Sequence, residues 1–367
     1  MAFLIVLSVA MASVRSAAYV LFDNGATDWV VGSEDALRWD PQVWPLGGTL
    51  RWEIEDAPEW NDLFGSSRAF FGVVEEALSD WSEIPTADIQ WEAAGFSDAD
   101  VGRRDSTNQV YLRRPLSTLG RDSANFGGWW TTVHVWFALD TSGARPVWHL
   151  TECDVGLDQS RMEEYKDENA SDDPDILANF VRGPLGNAFQ TCLGLGDSGG
   201  YPGSHQIRES ERDSFDRQAR LDHYYESPWH ESAVFSGSYA DRSVGASLLR
   251  PRSGWLPTVG SVSGSLSVDG EPVAYAQVWA LRHQTDGGTG SPIGAYSNRS
   301  GEFLIEGLEP GNYLLWAHPA RYNRLSTRVP LAGATIDVRD TVLLGAVRIR
   351  AGRVTSRISI PMEAGRH

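Results

Sequence analysis

A single stripe of apolar residues sets the strongest limit on what this chain can fold into. Phe70, Val73, Val74, Ala77, Leu78 and Trp81 recur at i, i+3, i+4, i+7, i+8 and i+11, the period of a helix that buries one face. Ser66 or Ser67 can cap its start, and Pro85 stops its continuation. A helix of this kind needs an apolar surface to lie on, and its neighbours in sequence read as strands. Residues 49–54 (TLRWEI) alternate, residues 87–92 (ADIQWE) form a short strand, and residues 109–112, 132–139 and 149–157 follow. The expectation is a mixed α+β domain with the helix packed on a sheet.

With 367 residues the chain has room for a second core. Around residues 254–260 the composition changes, and short alternating strands separated by turns take over. Val262, Leu266 and Val268 lead to the Asp269-Gly270 turn; Phe303 and Ile305 lead through Pro310-Gly311 to Tyr313 and Leu315; residues 347–362 alternate again. Residues 257–367 therefore read as an all-β sandwich, residues 48–256 as the α+β domain and residues 19–47 as an irregular lead-in.

Residues 2–12 (AFLIVLSVAMA) have the length of an export-signal core and are too short to span a bilayer. Residues 1–18 are read as a signal peptide, the protein as secreted, and no later stretch as a membrane anchor. A formal charge of −18 and the lack of a basic stripe argue against nucleic acid as a partner. For Cys153 and Cys192, the only cysteines, one disulfide and two buried thiols both stay open. Residues 161–175 carry seven acidic side chains and read as a solvated loop. Calcium is an alternative there, although the acids lack the spacing of a calcium loop.

Several segments, in order, resemble the matrixin-like branch of the metzincin zinc proteases. These are Thr49-Leu-Arg-Trp, the helix ending Ala77-Leu-Ser-Asp-Trp81, the strand Ala87-Asp-Ile-Gln-Trp and Thr151-Glu-Cys-Asp-Val155. The last looks like the strand that leads to an active-site helix, here 177–188, followed by Leu193-Gly-Leu-Gly-Asp-Ser198. The C-terminal part resembles the carboxypeptidase regulatory-like β-sandwich through Val262-Ser-Gly-Ser-Leu, residues 269–278 and residues 301–313. That second resemblance implies an accessory module without chemistry of its own.

The metzincin motif H-E-x-x-H-x-x-G-x-x-H puts two histidines on one helical face. A glycine then turns the chain to bring a third, and the glutamate serves as general base. Aligned without a gap, the ligand positions fall on Asn187, Thr191 and Asp197, with Ala188 in the place of the base. With four residues inserted before Gly194, Gly183 and Asn187 take the first two ligand positions and Pro184 the base. The second alignment keeps the preceding apolar pattern and is the one preferred from sequence; it also places the start of the helix, or a kink in it, near Pro184. Neither keeps a histidine or the glutamate. Asn and Thr are poor zinc partners beside imidazole, and neither Ala nor Pro can take a proton from water. Phe235 stands where the methionine of the family's methionine turn is expected.

No cofactor is therefore expected. The leading expectation is an inactive metallopeptidase homologue that binds peptide or protein in the retained groove. One rival is an active zinc enzyme with an atypical site of Asp197, His223 and His230. Another is an adhesion or glycan-binding protein that uses Trp129 and Trp130 as contact surfaces, although core packing accounts more simply for most of the 15 tryptophans.

Overall fold

The computed structural model describes residues 19–21, 36–97, 104–113, 124–127, 130–143, 147–168, 174–197, 239–283, 293–318, 341–342 and 346–364. The signal-peptide reading of residues 1–18 lies outside them. The chain forms two compact units. One is built on Leu37–Gly194; the other combines Leu195–His367 with an N-terminal stretch that includes β1 (Tyr19–Leu21).

The first unit is a mixed α+β layer. Its strands are β2 (Arg38–Trp39), β3 (Leu50–Glu55), β4 (Trp91–Ser97), β5 (Asn108–Arg113), β6 (Ala124–Gly127), β7 (Thr131–Asp140) and β8 (Val147–Asp158). They form one sheet in the order β4-β3-β5-β8-β7-β6, with β2 also paired to β8. Strands β4, β3, β5 and β8 are mutually parallel, and β7 and β6 complete the sheet antiparallel. Parallel neighbours need a crossover, and helices α1 (Glu59–Phe64) and α2 (Ser67–Ser82) supply it between β3 and β4. The α2 stripe is buried along its whole length, and the Ser66 hydroxyl caps the helix by accepting from the Ala69 amide at 3.0 Å.

Helices α3 (Gln159–Glu168) and α4 (Pro174–Leu193) follow β8. α4 packs on α2, and Arg182 joins the two by donating to Asp80 Oδ2 and Glu76 Oε2, both at 3.0 Å. Phe189 of α4 sits edge-on to Trp52 at 4.8 Å and to Trp91 at 5.8 Å. Trp39, Trp44, Trp52, Trp60, Trp81 and Trp91 are all buried, so these six serve as core.

Four expectations change. Where an irregular lead-in was expected over residues 19–47, the described residues hold β1 and β2 and bury Trp39 and Trp44. The strand expected at 87–92 starts at Trp91, because Ala87 and Ile89 are buried before the ladder to Leu50 begins. Part of the acidic run is helix, not loop; its Glu, Lys, Arg and Met residues are good helix formers, and Met162 anchors α3 in the core. Finally, α4 begins at Pro174, where the missing N–H costs nothing, and continues as helix through Pro184.

The second unit is mostly β. Strands β1 and β9 (Leu195–Asp197) pair antiparallel, and helix α5 (Tyr239–Leu249) follows. Strands β10 (Gly260–Val268), β11 (Glu271–Pro272), β14 (Glu302–Leu308) and β18 (Val354–Met362) form one sheet. Strands β12 (Gln277–His283), β13 (Ile293–Tyr296), β15 (Gly311–His318), β16 (Thr341–Val342) and β17 (Val347–Ile349) form the other. Asp269 and Gly270, both at positive φ, close the β10–β11 hairpin. Pro310, in contrast, carries the chain from one sheet to the other.

The expected boundary near residue 256 does not match the division of contacts, which falls after Gly194. α5 explains why: Ala246, Leu248 and Leu249 are buried, and Val244 seats against Gly307 of β14. A Cβ at Gly307 would stand 2.4 Å from the Val244 methyl, and φ is +73° there, so only glycine fits.

Candidate functional site

Two places in the first unit are candidates for a site. The first is the C-terminal half of α4. Asn187 and Thr191 lie one turn apart, Asn187 exposed and Thr191 half-buried, and the Thr191 hydroxyl donates weakly back to the Asn187 carbonyl at 3.5 Å. Ala188 faces inward, 2% exposed. The helix ends at Leu193, and Gly194 turns the chain with φ +98°. Gly183 and Pro184 are half-buried one turn earlier. Asp197 ends β9 opposite Tyr19 in the backbone ladder; its side chain lies outside the described residues, as do Trp129, His223, His230 and Phe235.

A disulfide fixes this helix to the sheet. Cys153 of β8 and Cys192 of α4 are bonded, with Cα atoms 5.6 Å apart, and both are fully buried. Trp39 adds a second tie by donating from its indole nitrogen to the Cys192 carbonyl at 2.8 Å. At the other end of α4, Trp130 stands edge-on to Phe180 at 4.6 Å and to Tyr165 of α3 at 5.8 Å. Tyr165 and Phe180 stack at 3.9 Å. All three rings are half-buried, and Ile176, four residues before Phe180 on α4, is exposed. This cluster offers a partly solvated aromatic surface.

The second place is the opposite face of the sheet. Cys153 points to α4, so by strand alternation Glu152 and Asp154 point away from it. Register puts His134 and Gln109 opposite Asp154, and Thr132 and Tyr111 opposite Gly156. The Tyr111 ring lies across Gly156, where a Cβ would come within 2.8 Å of it. His134 and Asp154 are 0% exposed, and Glu152 and Gln109 1%. Asp154 Oδ1 accepts from the Gln109 backbone N–H at 3.0 Å. Glu152 accepts from the backbone amides of Asp105 and Ser106, at 3.1 and 2.5 Å. Burial pushes the Glu152 carboxyl above its ordinary value, against the pull of those two amides and of Arg104.

Sequence reasoning read residues 132–139 and 149–157 as strands but missed the polar side chains buried together on this face. The signal was the period-2 polar pattern in residues 132–136 and 152–156, which reads equally well as a solvated face. Among the described residues, no group of three or more His, Cys, Asp or Glu side chains is placed to hold a metal ion. No described helix is long and apolar enough to cross a membrane.

No protein-family model matches the chain, and no curated protein matches it. The solved structures to which the chain is weakly similar include the following two. A 9R-lipoxygenase from Cyanothece PCC8801 aligns at 11% identity and a TM-score of 0.21, over 40% of this chain and 22% of that one. An (S)-allantoin synthase aligns at 9% identity and a TM-score of 0.19, over 57% of this chain and 90% of that one. Likenesses at this level bear on neither fold nor function.

Proposed function

We propose that this chain is a secreted homologue of zinc metallopeptidases that has lost its metal chemistry and binds peptide or protein beside α4. The observation that carries the reading is Ala188, buried in the core where the motif needs an accessible glutamate. The helix geometry agrees with the gap-free alignment: Gly194 turns the chain three residues after Thr191. Asn187, Thr191 and Asp197 are then the ligand positions, and neutral oxygens at the first two hold zinc poorly. The half-buried rings of Trp130 and of Tyr165 on α3 gather around Phe180 of α4 and supply a contact surface there. We assign the β unit an accessory role, in keeping with the regulatory-like sandwich that its sequence resembles.

Elemental analysis of the purified protein, run beside a casein-cleavage assay, tests this. The expected result is no stoichiometric zinc and no cleavage. One zinc per chain would overturn the proposal and direct mutagenesis to Asp197, His223 and His230.

A further inference from the structure

The C-terminal strands carry charge opposite to that of the whole chain. Residues 346–364 contain Arg348, Arg350, Arg353 and Arg357 and one acid, Glu363, in a protein whose formal charge is −18. All four arginines are exposed. Burial of Val347 and Ile349 turns Arg348 and Arg350 outward from β17. The Arg353 amide donates to the Arg350 carbonyl across a tight turn at 3.2 Å, which gathers those two at one corner. Beyond the turn the Thr355 hydroxyl donates to the Arg348 carbonyl at 3.0 Å, so β18 starts beside β17.

Among the described residues no acid neutralises this corner. Glu309, the acid nearest Arg350 in register, is bound by Arg282. Glu363 follows Arg357 by six residues, about 20 Å at the rise of a strand. Among the described residues none of the four arginines makes an ion pair. The corner also exposes Val354, 59% accessible, between Arg353 and Arg357. β18 pairs β10 on one side, and among the described residues no ladder is formed on its other side.

We infer that this corner docks an acidic polypeptide segment. Carboxylates of the partner meet the guanidinium forks of Arg348, Arg350, Arg353 and Arg357, and an apolar side chain covers Val354. The apolar residue among the charges favours a polypeptide over a purely anionic polymer. The surface is independent of the α4 site, so it stands or falls apart from the proposed function.

The test uses the full chain and a short fluorescent peptide of glutamates around one central leucine, followed by anisotropy. Binding is expected, weakening as salt is raised. Reversing Arg350→Glu and Arg353→Glu together is expected to weaken it about tenfold or more. The neutral pair Arg350→Gln and Arg353→Gln should fall in between, with the melting temperature of each variant unchanged. Failure to bind the peptide, or equal binding by the reversed variant, overturns the inference. So does capture of heparin or anionic vesicles without capture of the peptide, which assigns the corner to a glycan or a lipid surface.

Discussion

Glu152 shows how one residue can be held at a cost. Its carboxylate orders the turn at Asp105 and Ser106, and Ser106 sits there at φ +69°. Because burial raises its folded pKa, the folded state holds the proton to higher pH than the unfolded chain does. Stability from this group is therefore greatest below the unfolded value and is lost as pH rises toward the folded one. Thermal melts of the wild type and of Glu152→Gln across that range should differ by a slope that falls with pH and is absent in the variant. Gly307 is a residue of the opposite kind, chosen for what it lacks. Gly307→Ala drives a Cβ into Val244 and strains a left-handed backbone, and a loss of about 1–3 kcal/mol by urea unfolding is expected.

At the scale of the element, α4 is anchored four ways: by the disulfide to β8, by the Trp39 indole to the Cys192 carbonyl, by the Arg182 fork to α2 and by Phe189 among the tryptophans. These anchors differ in weight. Arg182 is 40% exposed, and pairs of that kind contribute about 0.2–1 kcal/mol. Phe189 is fully buried, and Phe189→Ala is expected to cost about 3–5 kcal/mol by chemical denaturation. The disulfide closes a loop of 39 residues, for which chain entropy gives about 4 kcal/mol. Replacing both cysteines by alanine should lower the unfolding free energy by roughly 2–5 kcal/mol. Helix α4 therefore serves as a fixed rim, and the proposed binding surface needs little ordering when a partner arrives.

On the scale of the whole molecule, the Cys153–Cys192 bond lies wholly inside the first unit. Calorimetry with and without reductant should shift that unit's transition and leave the second unit's where it is. Much of this organisation was open to reading in the sequence. The helix at 67–82, its serine cap and the Asp269-Gly270 hairpin follow from period, cap and turn chemistry, which act between residues a few positions apart. What only the tertiary structure decided rests on contacts distant in sequence. Residues 132–136 and 152–156 show the alternation of a solvated sheet face, yet His134, Glu152 and Asp154 are buried. Pattern reports which side a residue takes; burial depends on what else packs there. The same holds for α5, whose apolar face became part of the second unit because Gly307 left it room. It holds for the two cysteines as well, which meet only because β8 and α4 bring their Cα atoms within 5.6 Å.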